Sequence, residues 1–431
     1  MTLNRNEIMP GVWLTCVTTD KFKTSCLSIS LLTQLHRETA SMNALIPQVL
    51  RRGTHRFPDM ESLSGELDRL YGACISPAVR KIGEIQCIGL VADFVDSRYV
   101  PNPALFNEAL ELTCEVLLQP SMEKGRLLEK YVESEKRQQL DRLRARINDK
   151  RSYAVQRIIE LMCCYEDYSV SRLGDEERTE AITPETLTAQ YRTLLETSPI
   201  EIFYCGSSGF ESLQDTLRSY LKDLPRGEID YEIGTDIRMN TVEEQTRYYT
   251  DELSVNQGKL TIGFRLGEAM EEVENAAYNV MNALYGGSVT SKLFMNVREK
   301  LSLCYYASSM LDLTKGIMLV QSGIDFEQYD AALSEILAQL KAIQDGDFTD
   351  EELQAARSAV AAELRTYMDS EGDLEHYWLV RNIRGEELGP MELAEEVSAV
   401  TREDVIRAAS TIVCDAVYFL QGNGEDEEDE A

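Results

Sequence analysis

A chain of 431 residues, 43% hydrophobic and 27% charged, holds enough apolar material for two or three domains, or two large ones, without disulfides or metal. Its formal net charge of −31 argues against nucleic acid, whose binding draws on phosphate neutralisation by Lys and Arg, and favours a basic peptide or a basic partner surface. No apolar run approaches the ~18 residues of a membrane span, and the opening stretch MTLNRNEIMPGVWL has no signal-like apolar core. Ten cysteines without a C-x-x-C pair point to a reducing compartment, read as the cytoplasm.

In chain order, the first half predicts strands at 12–18, 24–32, 73–79, 85–91 and 202–205, with helices at 104–119 and 124–147. Thr24–Leu32 (TSCLSISLL) alternates polar and apolar residues, as a half-buried strand does. The second half predicts strands at 259–264, 304–311, 317–324 and 416–420, with helices at 329–340 and 349–366. The halves repeat at about 220 residues. Ala181-Ile-Thr-Pro-Glu-Thr-Leu parallels Ala399-Val-Thr-Arg-Glu-Asp-Val, where Thr183 and Thr401 are N-cap candidates with acid in the first turn. Each copy then runs into a β-rich stretch ending in glycine, Gly206 or Gly422.

Few strands are separated by a single helix, which disfavours a parallel doubly wound sheet. The expected class is α+β: two duplicated domains, each an antiparallel sheet with helices on one face. The first is expected over 1–223 and the second over 252–422. A charged Pro/Gly-containing linker at 224–251 separates them, and an acidic disordered tail occupies 423–431.

The most informative stretch is 286–306, GGSVTSKLFMNVREKLSLCYY: a glycine pair, Ser-x-x-Ser, an apolar helical run, Arg298-Glu299-Lys300, and Tyr305 seven residues after the arginine. It resembles the carboxy-terminal signature of the insulinase/pitrilysin-like zinc metallopeptidases, the family that includes mitochondrial processing peptidase. The resemblance covers about residues 8–422. It implies two domains facing each other as the valves of a clam, a substrate-holding role for Arg298 and Tyr305, and a chamber-lining loop at Gly286-Gly287. An arginine offers forked donors and a phenol O–H can stabilise an oxyanion. The bland alternatives are a left-handed glycine cap at Gly286-Gly287, an Arg298 ion pair with Glu299, and a Tyr305 packed in a strand.

Active members of that family carry H-x-x-E-H on a helix, with both histidines on one face and the glutamate as base. The matching stretch here is ALIPQVLRRGT, residues 44–54. The histidine positions hold Ala44 and Gln48, and the glutamate position holds Pro47. On the later helix, aligning Glu135 with the first acid of the family pattern puts Arg142 at the third-ligand position, where a cation would repel Zn²⁺. The chain's three histidines, His36, His55 and His376, have no ligand-like spacing, and His36 and His55 read as surface or turn residues. The resemblance therefore implies no metal, no cofactor and no catalytic residue of its own.

ETASMNALIPQVLRRGT and LDRLYGA narrow the resemblance to a bacterial subgroup of non-catalytic members associated with elongation factor P modification. Such proteins typically accompany a homologue that retains H-x-x-E-H. The expected function is a pseudo-peptidase subunit of a heterodimeric zinc metallopeptidase, supplying Arg298 and Tyr305. The alternative is a stand-alone peptide- or protein-binding clamshell, linked to elongation factor P modification. Neither reading involves nucleic acid or membrane. Peptide hydrolysis by the lone chain would require a rebuilt zinc site.

Overall fold

The computed structural model describes residues 1–238, 240–267, 270 and 273–423; the acidic tail expected at 423–431 lies outside them from 424 onward. The strands are β1 (Thr2–Met9), β2 (Val12–Thr18), β3 (Thr24–Gln34), β4 (Cys74–Ile82), β5 (Ile85–Val95), β6 (Met122–Glu123), β7 (Arg126–Leu127), β8 (Ile200–Gly206), β9 (Arg247–Leu253), β10 (Gly258–Arg265), β11 (Tyr306–Asp312), β12 (Ile317–Ile324) and β13 (Val413–Gly422). One sheet has the order β1-β2-β8-β3-β5-β4 and the other β11-β12-β10-β13-β9. Omitting β1, the second order repeats the first strand for strand, and the single parallel pair recurs at the same place, β2 with β8 and β9 with β13. The internal repeat read from sequence is thus a repeat of sheet topology. The sheets are mixed, not wholly antiparallel, because the last strand of each copy returns through a helix and inserts beside the first.

Repeat and compact unit do not coincide. One unit comprises Met1–Arg144, Val170–Thr235 and Met368–Glu387; the other comprises Ala145–Ser169, Asp236–Tyr367 and Leu388 onward. The division at 223 and 252 therefore gives way to an interleaved one. The Lys150–Met162 helix of the first repeat belongs to the second unit, and the Glu371–Arg384 helix of the second repeat belongs to the first. The expected linker also resolves into structure. Residues up to 235 are fastened to the first unit, where Arg226 donates to the carbonyls of Pro10, Leu195 and Ser198 at 2.8–3.0 Å. From 247 the chain is β9. Fastening through backbone carbonyls leaves no apolar period to read.

Helices cover both sheet faces, not one. In the first unit Leu27, Ile29 and Leu31 of β3 join the large core under the Ala40–Leu50, Leu105–Leu118 and Pro184–Thr197 helices. On the opposite face Leu32, Ile85 and Cys87 meet Leu379 of the Glu371–Arg384 helix, with Ser28 and Ser30 buried in the same row. In the second unit Ala154, Ile158 and Met162 of the Lys150–Met162 helix cover Ile317, Leu319, Ala416 and Tyr418. The alternation in β3 suggests a solvated face because serine is polar, but its small hydroxyl fits under a helix as well as in water.

Local signals fare better. Thr183 and Thr401 each cap a helix, accepting at 3.2 Å from the amides of Thr186 and Asp404, both in capping boxes. The helix expected from Lys124 starts at Glu129. Lys124 (φ 52°) and Gly125 (φ 77°) are left-handed and turn the β6–β7 ribbon, which a helix cannot contain.

Glu371 opens the helix that crosses into the first unit. Its Oε2 accepts from Thr24 at 2.5 Å, while its Oε1 is buried without a hydrogen-bond partner among the described residues. Burial first, then the fields of Asp93 and Asp96, raise its pKa against the pull of Thr24. A raised folded pKa means stability that is present below the ordinary glutamate range and lost as pH climbs through the folded value. Glu371→Gln is therefore expected to raise the urea midpoint at pH 7 and to leave it unchanged at pH 4. A lower midpoint at both pH values would refute this.

Candidate functional site

The positions expected for a metal lie on the Ala40–Leu50 helix of the first unit. Ala44 is buried and turns a methyl into the core, and Pro47 stands inside the helix, where it withholds the N–H that Asn43 O would accept. Gln48 is partly exposed. Around this helix runs a belt of amides. Asn43 Nδ2 donates to Gln86 Oε1 at 2.9 Å, and Gln190 Nε2 donates to Asn43 Oδ1 at 2.8 Å. Gln86 Nε2 donates to the carbonyls of Ala40 and Arg172 at 3.1 and 2.7 Å.

The Glu129–Ala145 helix meets this one through Gln139, whose Nε2 reaches Ser41 O at 3.0 Å and Leu173 O at 3.1 Å, and through Glu135, 3.4 Å from Arg52. Burial raises the Glu135 pKa, while Arg52 and then Arg142 act to lower it. Arg142 itself is exposed, two turns beyond Glu135, and acts on that carboxylate through its field. The family pattern puts Arg142 at the ligand position; the contacts to the first helix and its flank come instead from Gln139 and Glu135.

A zinc ion does not fit these residues. Methyl, pyrrolidine ring and carboxamide replace imidazole and carboxylate, and the buried acid Glu135 is committed to Arg52. Among the described residues no three His, Cys, Asp or Glu side chains are placed to hold a metal, and all three histidines are exposed. Gly53 and Thr54, which complete the motif, have a structural role. A β-carbon at Gly53 would lie 2.7 Å from the Pro58 carbonyl, and buried Thr54 donates to Glu115 Oε1 at 2.7 Å.

The signature residues belong to the second unit. Ala283–Gly287 and Leu293–Lys300 are wide π-helical turns packed beside β11. Neither Gly286 nor Gly287 has positive φ, so the left-handed cap is not formed. Glycine is needed at 286 for close approach: a β-carbon would lie 2.8 Å from both the backbone nitrogen and Oγ of Ser309 in β11.

Arg298 leaves its turn with a 41% exposed side chain, stacks 4.7 Å from the Phe294 ring centroid and sits 3.6 Å from Glu299. Tyr305, just before β11, is 59% exposed and donates to Asp325 Oδ1 at 3.0 Å. That hydrogen bond, more than anything else, raises the phenol pKa, so Tyr305 remains an O–H donor. The ion pair with Glu299 is present; the packed tyrosine is not. Asp325, twenty residues on from Tyr305, carried no signal in the sequence and is found only through the register of β11 on β12.

Duplicated α+β units, an exposed arginine and tyrosine in the second, and metal positions without ligands in the first define a peptidase-like protein stripped of its metal site. The chain belongs to the M16 peptidase family, as an inactive, peptidase-like member. The family model described as "Peptidase M16 inactive domain" matches residues 181–360. A Bacillus subtilis (strain 168) protein named "Probable inactive metalloprotease YmfF" is 31% identical over 415 residues, 96% of each chain. "Uncharacterized zinc protease YmxG" of the same organism is 29% identical over 162 residues, 35% of this chain and 38% of its own. Among solved structures, a conserved protein from Enterococcus faecalis V583 superposes with a TM-score of 0.87 at 25% identity, covering 99% of this chain and 100% of that one. A peptidase M16 inactive domain from Pseudomonas fluorescens gives 0.79 at 14% identity, covering 98% of each. No helix among the described residues is long and apolar enough to cross a membrane.

Proposed function

We propose that this chain is the non-catalytic subunit of a heterodimeric zinc metallopeptidase, lending Arg298 and Tyr305 to a homologue that carries H-x-x-E-H. One observation carries the reading. The metal positions are filled by groups that bind no cation, whereas Arg298 and Tyr305 keep exposed donors held by single acids, Glu299 and Asp325. The reading is supported by the presence in Bacillus subtilis (strain 168) of relatives of both kinds, one named "Probable inactive metalloprotease YmfF" and the other "Uncharacterized zinc protease YmxG". The ten cysteines, none in a disulfide among the described residues, support the cytoplasm as the place of action.

The test is reconstitution. The purified chain mixed with its metal-bearing homologue is expected to cleave peptides in a zinc-dependent manner, and Arg298→Ala is expected to raise KM about tenfold or more by removing a forked donor. Unchanged kinetics in that variant would remove the role.

The second reading is a binding protein that never meets a protease, for which the subgroup resemblance offers elongation factor P modification as a setting. It is favoured by the fact that Arg298 and Tyr305 already have partners. Gel filtration separates the two: co-elution with the homologue supports the first, and indifference to it supports the second.

A further inference from the structure

The sheet face under the Lys150–Met162 helix has a polar corner beside β11 that neither reading uses. Opposed residues set Tyr306, Gly323 and Lys259 in one row across β11, β12 and β10, and Ser308, Gln321 and Thr261 in the next. Arg151, in the first turn of the helix, lies 4.3 Å from the Tyr306 ring centroid and donates through Nε to Gln321 Oε1 at 2.8 Å. Lys259 donates to Gln257 Oε1.

Both cations thus have neutral partners. Among the described residues neither Arg151 nor Lys259 forms an ion pair, in a chain of net charge −31. Asp149, the acid whose field reaches both Tyr306 and Arg151, is occupied in capping the helix, accepting from the amides of Arg151 and Ser152 at 3.1 Å. Burial first, and then the field of Arg151, lower the Lys259 pKa. Ser308 Oγ is buried in the neighbouring row without a hydrogen-bond partner among the described residues. Gly323 lets Tyr306 and Gln257 lie close over β12, since a β-carbon there would lie 2.4 Å from Tyr306 Cε1 and 2.8 Å from Gln257 Oε1. Arg151 is exposed and Lys259 half-buried, so the corner is reachable.

We infer that Arg151 and Lys259, with Ser308 as an additional donor, form a binding site for one carboxylate carried by a neutral or basic peptide. Two like charges facing one another without an ion-paired acid repel, and an anion between them reverses the sign of that interaction. A carboxylate matches the guanidinium fork. The surrounding negative charge turns polyanions away, which leaves a singly charged group on an otherwise uncharged or cationic chain. The inference concerns this chain alone and does not depend on a catalytic partner.

Isothermal titration of the full chain tests it with four probes: an N-acetylated hexapeptide of alanine and lysine with a free carboxyl terminus, its C-terminal amide, that amide with one internal glutamate, and inorganic phosphate. Binding is expected for at least one of the two carboxylate peptides and not for the plain amide, and which of the two binds tells terminus from side chain. Arg151→Gln and Lys259→Gln should each weaken binding at least tenfold while retaining the parent circular dichroism, and Arg151→Lys should fall between. The inference is overturned if the plain amide binds equally, if phosphate binds more tightly than either peptide, if both glutamine variants bind as the parent does, or if nothing binds.

Discussion

Replacing Asp415 by alanine is expected to destabilise the second unit by about 3–5 kcal/mol, the usual cost of leaving a buried charge without its partner. Asp415 is fully buried in β13, where Oδ1 accepts from Arg247 and Oδ2 from Arg265 Nε, each at 2.8 Å. Arg265 also reaches Glu166 at 2.6 Å, and Lys315 reaches the same carboxylate at 2.7 Å. The network fastens the 145–169 segment to the second sheet, so its loss exposes more than one contact. With about 2–4 °C of Tm per kcal/mol for a unit of this size, the transition should fall by roughly 10 °C. Differential scanning calorimetry checks it, and a fall under about 2 °C would sink the account. Burial alone would raise the Glu166 pKa, but hydrogen bonds from Arg265 and Lys315 outweigh it and hold the carboxyl below its ordinary range. The sign is then fixed: this stabilisation is complete above the ordinary glutamate range and disappears as pH falls through the lowered folded value.

Tyr305→Phe is expected to lower kcat of the reconstituted peptidase by about 10²-fold, the typical loss when one oxyanion donor is removed. KM should change much less, because the phenol would act on charge that develops only in the transition state. The substitution removes one exposed hydroxyl, so circular dichroism and Tm should match the parent. In the free chain the phenol is spent on Asp325, and substrate must draw it away. Asp325 therefore competes with the proposed role while keeping the hydroxyl protonated. An unchanged kcat would leave Tyr305 as a partner of Asp325 and nothing more.

Much of the fold was legible because it is local. Threonine before an acidic first turn marked both capped helices, and apolar runs of strand length located nine of the strands. β1 and β9 escaped because edge strands rich in charged and polar residues show no buried period. The vacated metal site was legible for a different reason: ligand chemistry is a property of residue type. Ala44, Pro47 and Gln48 exclude zinc wherever the helix lies.

By itself, then, the sequence determined that the chain is a duplicated α+β protein whose first half carries Ala44, Pro47 and Gln48 where the family's zinc motif has ligands and base. Only the tertiary structure decided which helix belongs to which unit, that Gln139 and Glu135 face the vacated helix while Arg142 lies in solvent, that Tyr305 is tied to Asp325, and that Arg151 lies over the strand row that holds Lys259. Those outcomes depend on pairings between residues tens to hundreds of positions apart. Sheet register and helix crossing set such pairings, and no window of sequence contains both partners.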